Sequence, residues 1–386
     1  MEVYILSGAR TPSGTFLNEF QNVSAPQLGS VAIQGAFKRT DADAKDVDEV
    51  FMGNVISAGV GQAPARQAAI FSGLSESVPC TTINKVCGSG LMSIILGAQT
   101  IMINENDMVV CGGMESMSRA PHILDQSRSG IKFGDTKLKD SMIIDGLKDV
   151  YTSRPMGNCA EECVTKYDFT REQMDDFSER SFKRAQKATE DGIFESEIEP
   201  VFIKMRKKDI TIKRDEGVFK ANFEKMRTLK PAFENEGKIT AGNASTLNDG
   251  AAALVLGSKK YIDQAKFKII SYSKHAQNPT WFTTAPVEAM KKNLEKSNLT
   301  INDIDLFEIN EAFAVVPMAA IKEFGLDESK VNIYGGGVSL GHPLGCSGAR
   351  IIVTLMTGLE KNNLKRGMAS ICIGGGEALS IIIERL

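Results

Sequence analysis

The 386-residue sequence has one tryptophan, three histidines and no apolar run near the ~18 residues of a membrane span. A mean hydropathy of −0.12 agrees, so no membrane span is expected. An excess of either charge is also missing. Lys and Arg number 45 against 48 Asp and Glu, a net charge of −3. Without a basic surplus, nucleic acid is not an expected partner. The opening MEVYILSGAR has an acidic second residue and no basic start, which reads as a buried strand and not as an export signal. The expected location is therefore cytoplasmic, where the seven cysteines stay reduced. Seven is odd, no pair has C-x-x-C spacing, and His122, His275 and His342 are far apart. Neither a disulfide framework nor a metal site is expected. Apolar residues at 42% and charged residues at 24% are ordinary for a globular chain and exclude disorder.

Glycine is plentiful. The 35 glycines make about 9% of the chain against a usual ~7%, and they cluster beside cysteines. Met1–Ser7, Val47–Gly53, Thr81–Val86 and Met108–Cys111 read as strands, and Ala63–Ser72 and Gly88–Ile103 as helices. Pro26 sits in the first turn of another helix. This alternation, with continuous apolar strands, predicts an α/β fold whose sheet is covered on both faces. Segments within about 119–241 are richer in Lys, Asp and Glu and read as an insertion. Ala251–Gly257 returns to a buried strand. Two internal similarities suggest duplication. CGGMESMS (111–118) resembles IGGGEALS (373–380), offset by 262 residues; the Ser-Gly and apolar helix after Cys87 resemble those after Cys346, offset by 258. Two halves are expected, 1–258 and 265–386, with the insertion inside the first.

Four residues stand where such folds place their sites, at loop ends after strands. Cys87 in NKVCGSGL precedes an apolar helix, whose dipole favours a thiolate. It reads either as a nucleophile or as a small buried thiol at a glycine-tight crossing. His342 in GHPLGCSG has the side chain suited to proton transfer near neutrality; its other reading is a turn histidine. Cys372 ends an apolar strand before Gly374-Gly375-Gly376, whose backbone N–H groups can approach a substrate oxygen. Taken alone, Cys372 fits a strand cysteine better than a catalyst. Asn310 in NEAF serves either as an oxyanion donor or as a helix cap.

Together these segments resemble the thiolase family, in particular its acetyl-CoA C-acetyltransferase branch. The resemblance is carried by NKVCGSGL at Cys87, GGMESMSRAPH at 112–122 and GNASTLNDGAA at 242–252. It continues through NEAF at 310–313, GHPLGCSGAR at 341–350 and CIGGGE at 372–377, in family order. It implies a five-layered αβαβα fold of two βαβαβαββ halves with an inserted loop domain. It implies reversible condensation of two acetyl-CoA to acetoacetyl-CoA and free coenzyme A. Cys87 would carry the acyl group, His342 would take its proton, and Cys372 would move the α-proton. Asn310, through a water, and His342 would form one oxyanion hole; the N–H groups of Cys87 and Gly374 would form the other. Met156, Ser245, Ala312 and Phe313 would line the coenzyme A path. No metal or redox cofactor is implied, since coenzyme A is substrate and leaving group. A homodimer or homotetramer is implied.

Two departures from the family pattern stand out. Pro155-Met156-Gly157 replaces the usual His-Met-Gly beside the acyl pocket, and Val218 replaces an arginine that meets the coenzyme A nucleotide. Lys220, Arg214 or Arg227 are the alternatives for that contact. Two other functions compete: a degradative 3-ketoacyl-CoA thiolase of broader chain length, and a non-catalytic acyl-CoA or lipid binder. The second usually lacks one of Cys87, His342 or Cys372.

Overall fold

The computed structural model describes residues 2–204 and 208–386. The first half runs β1 (Val3–Arg10), β2 (Gly14–Thr15), α1 (Ala25–Phe37), β3 (Glu49–Gly53), α2 (Pro64–Ser72), β4 (Cys80–Ile83), α3 (Ser89–Met102) and β5 (Met108–Ser116). An insertion follows: β6 (His122–Leu124), β7 (Leu138–Asp140), α4 (Met156–Tyr167), α5 (Arg171–Glu190), β8 (Val201–Ile203), β9 (Ile210–Ile212) and α6 (Phe223–Arg227). Strand β10 (Asn248–Gly257) closes this half. The second half runs β11 (Phe267–Ala276), α7 (Ala285–Ser297), β12 (Leu306–Ile309), α8 (Val315–Phe324), α9 (Gly337–Leu340), α10 (Leu344–Lys361), β13 (Arg366–Ile373) and β14 (Glu377–Arg385).

Period-two alternation along the buried strands sorts side chains into layers. From β5, Met108 and Val110 face α1 and α2, while Val109 and Cys111 face α3 and α10. From β13, Ala369 and Ile371 face the same two middle helices, and Met368 and Cys372 face α7 and α8. The order is therefore outer helices, sheet, middle helices, sheet, outer helices. The strands are hydrogen-bonded in one ten-stranded order, β12-β13-β14-β11-β1-β10-β5-β3-β4 with β2 on β10, and its two arms meet where Val3–Ile5 pair antiparallel with Phe267–Ile269. The insertion crosses over to the other half, because Cys159, Cys163 and Phe177 pack with Phe307, Ala312 and Met368.

Of the two internal similarities, one is structural. Strands β5 and β13 each follow a middle helix and pair parallel on one side and antiparallel on the other. They begin 258 residues apart, at Met108 and Arg366. The similarity at offset 262 is a coincidence of composition. Cys111–Ser116 lies within one strand, whereas Ile373–Ser380 spans a strand end, the glycine turn and part of β14.

The second half keeps its third strand only as a bridge between Phe307 and Val331. Asn332 completes the edge with its side chain. Its amide accepts from Ile309 N–H at 2.8 Å and donates to Ile309 C=O at 2.9 Å, as a peptide group would. Strand β4 also ends earlier than the sequence suggests, at Ile83, because the chain turns there toward Cys87.

The glycines beside the cysteines let α3 and α10 touch backbone to backbone. A Cβ on Gly90 would lie 2.7 Å from Ala349 N, and one on Gly348 would lie 2.3 Å from Leu91 N. No rotamer change relieves a clash with backbone. Gly348→Ala is expected to cost roughly 1–3 kcal/mol by overpacking. Urea unfolding checks this, with a midpoint lower than wild type.

Candidate active site

The close crossing brings the N-terminal ends of α3 and α10 together, and each carries a loop with a reactive side chain. On the first, Lys85 N–H donates to Ser89 Oγ at 2.8 Å, and that hydroxyl donates to Val86 C=O at 2.6 Å. Between them Val86 is held at φ +45°. A β-branched residue in the left-handed region costs about 1–2 kcal/mol. The strained turn directs Cys87 inward. Gly88 follows, where a Cβ would lie 2.4 Å from Ile373 Cδ1.

The expected low-pKa thiolate is not what this site holds. Helix α3 begins at Ser89, and Cys87 is only 8% exposed. Burial pushes its thiol up to about 11, against the opposing pull of the Gly374 N–H and its own N–H. Desolvation outweighs the helix dipole here, which is worth only ~0.3–1 kcal/mol at an ordinary surface. Cys87 is a thiol at neutral pH and needs a base.

His342 lies between α9 and α10. Gly341 before it has φ +93°, and a Cβ there would lie 2.2 Å from Asn248 Cγ. The His342 N–H donates to Asn248 Oδ1 at 3.3 Å. Its Nδ1 is 2.5 Å from Ser347 Oγ, and that hydroxyl donates to Pro343 C=O at 2.9 Å. The single hydroxyl proton is committed to Pro343, so Nδ1 carries the hydrogen and Nε2 has the lone pair, with the Asn310 amide as its long-range donor. Burial, with the Arg350 charge adding to it, lowers the imidazole to about 3. A neutral base therefore stands ready to take a proton.

Strands β12 and β13 end side by side, with Asn310 N–H donating to Ser370 C=O at 3.0 Å. Asn310 and Cys372 are both fully buried, and neither lines the cavity beside Cys87 and His342. The Asn310 amide nitrogen is 3.5 Å from both ring nitrogens of His342. Burial holds the Cys372 thiol well above the ordinary range, and neighbouring Cys87 acts in the same sense.

A cavity of about 150 Å³ opens onto this group, lined by Cys87, His342 and Gly374 together with Met156, Ser245, Ala312 and Phe313. All seven were candidates in the sequence. The Phe313 ring meets Phe282 and Phe233 edge to face, at 6.2 and 6.1 Å between centroids. Pro155 caps α4 and does not line the cavity. Val218 is buried beside Phe194 and Leu340. Of the alternative cations, Arg227 pairs with Asp176 and Glu179, Lys220 donates to Thr15, and Arg214 lines a different cleft. None of the three lines this cavity. His122 is on β6, and His275 bonds Gln277 and Lys292.

Sequence reasoning missed the residues that hold these loops. Glu115, at the end of β5, accepts from Gly345 N–H at 2.8 Å, Val55 N–H at 3.0 Å and Asn54 at 2.8 Å. Burial pushes it up to about 7. Glu311 accepts from Ser181, Asn332 and the Val338 N–H. An acid at or just past the end of an apolar strand, as Glu115 in VVCGGMES and Glu311 in LFEINEAF, was the available signal.

The description "Thiolase, N-terminal domain" matches residues 3–260, and "Thiolase, C-terminal domain" matches 263–385. This chain belongs to the thiolase family. Among curated relatives, the cytosolic acetyl-CoA acetyltransferase ERG10 of Gibberella zeae is 48% identical, over all of this chain and 98% of its own. The acetyl-CoA acetyltransferase of Schizosaccharomyces pombe is 47% identical, over all of this chain and 99% of its own. A mitochondrial relative from Aspergillus fumigatus is 46% identical, over all of this chain and 90% of its own. Among solved structures, the Acat5 thiolase of Ascaris suum in complex with coenzyme A superposes with a TM-score of 0.94 at 43% identity, over all of both chains. The acetyl-CoA acetyltransferase of Bacillus anthracis gives 0.97 at 39%, over all of this chain and 99% of its own.

In this thiolase Ser347 sets the tautomer of His342. Ser347→Ala is expected to slow acyl transfer about 10- to 100-fold, less than the ~10⁴ that follows loss of a charged orienting group. Single-turnover acetylation by acetyl-CoA measures it.

Proposed function

We infer that the chain catalyses reversible Claisen condensation of two acetyl-CoA to acetoacetyl-CoA and coenzyme A, through an acyl group on Cys87. The observation that carries this reading is the meeting of Cys87, a neutral His342 with its lone pair on Nε2, and the Gly374 N–H at one small apolar cavity.

In cleavage, Cys87 adds to the 3-keto carbon of acetoacetyl-CoA and its proton passes to His342 Nε2. The N–H groups of Cys87 and Gly374 stabilise the resulting oxyanion. The carbon–carbon bond breaks, and Cys372, held protonated by burial, gives its proton to the α-carbon of the departing acetyl-CoA. Free coenzyme A then attacks acetyl-Cys87. Its thiol proton restores Cys372, and the proton on His342 returns to Cys87. Condensation runs the same steps backwards. Asn310 and His342 stabilise the thioester enolate; the unpaired Asn310 Oδ1 is able to hold a water there. Met156, Ser245, Ala312 and Phe313 line the path of the coenzyme A arm.

We further propose the division into halves 1–258 and 265–386, an assembly of two or four chains, and a cytoplasmic location. The like pairing of β5 and β13, parallel on one side and antiparallel on the other, supports the first, and β4, an edge strand with partly exposed residues, supports the second. The cytosolic Gibberella relative supports the third. Among the described residues no helix is long and apolar enough to cross a membrane.

The full-length relatives named acetyl-CoA acetyltransferase support a short acyl group. Thiolysis is expected to be fastest with acetoacetyl-CoA and to fall along a series of longer 3-ketoacyl-CoA substrates. Equal kcat/KM across the series would instead support the degradative, broad-range reading.

A further inference from the structure

The oxyanion donors Cys87 and Gly374 come from different halves of the chain, so something must keep them in register. Gly374 opens a turn of three glycines, with Gly375 at φ +93° and Gly376 at φ +87°. Such a turn gains little order from its own side chains. On one flank it is fixed by Gln277 N–H donating to Gly376 C=O at 2.9 Å. On the flank facing the nucleophile, the Lys85 ammonium bonds the Glu377 carboxylate. Lys85 precedes strained Val86 and Glu377 follows the glycines, so this ion pair spans both catalytic loops. The Gly374 N–H also bonds the Cys87 thiol, and among the described residues the Lys85–Glu377 contact is the one ion pair that joins 84–88 to 374–377. Lys85 is 24% exposed and Glu377 37%, so the pair is half-buried at the rim.

We propose that Lys85 and Glu377 are positioning residues, an ionic clasp that holds the Gly374 N–H over the carbonyl oxygen bound at Cys87. The proposal rests on the reading of Cys87 as the acyl-carrying residue. Neither side chain lines the cavity, so substrate binding does not depend on them. The Gly374 N–H acts most strongly on the charge that develops in the transition state, so loosening it lowers kcat and not affinity. Losing an oxyanion donor outright costs about 10²–10³ in kcat. A half-exposed ion pair is worth only ~0–1 kcal/mol, so its loss tilts the donor without removing it and costs roughly fivefold.

The test compares the full-length wild type with Glu377→Gln, Lys85→Gln and the swap Lys85→Glu/Glu377→Lys in acetoacetyl-CoA thiolysis. Each single variant is expected to lose kcat roughly fivefold with KM and melting temperature unchanged, and the swap to regain most of the loss. Raising NaCl to about 0.5 M is expected to slow the wild type more than Glu377→Gln, because salt screens only an intact pair. Wild-type kcat in both single variants overturns the clasp. So does a loss that appears in KM or melting temperature instead of kcat, or a swap as slow as the single variants. A parallel peptide map of iodoacetamide-inactivated wild type separates this from the underlying reading. Full inactivation with Cys87 unmodified would sink the acyl-carrier assignment, whatever the clasp variants do.

Discussion

Cys372→Ala is expected to take up one acetyl group from acetyl-CoA and then stall. Acetyl transfer to Cys87 needs His342 and the oxyanion donors but no α-proton. Condensation needs that proton moved, and Cys372 is the thiol at the end of β13, next to Asn310 and in electrostatic contact with Cys87. Its loss is expected to slow condensation by ~10²–10⁴, the usual contribution of a positioned acid–base group. Cys87→Ala is expected to take up no acetyl group and to show no turnover. Intact-protein mass after incubation with acetyl-CoA reads the first step, and the condensation rate reads the second. A folded Cys372→Ala that stays unacetylated, or that condenses at the wild-type rate, would leave Cys372 as a core thiol only.

His342→Ala is expected to have a comparable effect and to change the shape of the pH profile. On the proposed mechanism the working form of the wild type is a Cys87 thiol beside a neutral His342. Acid removes it by protonating the imidazole, at about 3. Base removes it by ionising the thiol, at about 11. Between these limits neither group titrates, so kcat/KM for acetylation is expected to be flat from about pH 5 to 9. Without His342 the proton must leave with solvent base. The rate should then start ~10²–10⁴ lower at pH 7 and climb tenfold per pH unit. A limb near pH 7 that persists in Glu115→Gln would show that the two groups form an ion pair at rest, because Glu115 itself is pushed up to about 7. A flat profile in His342→Ala would show that another base takes the proton.

Much of this follows from residue order alone. The apolar strands, the glycine-rich turns after them and the six ordered motifs were enough to define an α/β fold and the family, and to single out Cys87, His342, Cys372, Asn310 and Gly374 as candidates. These signals are local: each needs only a strand end, a turn and the residue type the chemistry requires. Position relative to a strand was legible for the same reason.

What tertiary structure decided was environment. The dipole argument for a Cys87 thiolate was sound locally and lost to desolvation, which depends on what the whole chain packs around the sulfur. The tautomer of His342 came from Ser347 five residues on, through a hydrogen bond that exists only once α10 has formed. Glu115 and Glu311, unremarked in the sequence, fix the loops through donors up to 230 residues away. The similarity at offset 262 failed because composition does not record whether Gly-Gly lies within a strand or in a turn. The insertion read as polar, yet α4 supplies Met156 to a cavity that both halves line. Sequence settles which groups are available; the protonation state, partner and distance of each are set by residues remote in the chain, because burial and electrostatics act through space.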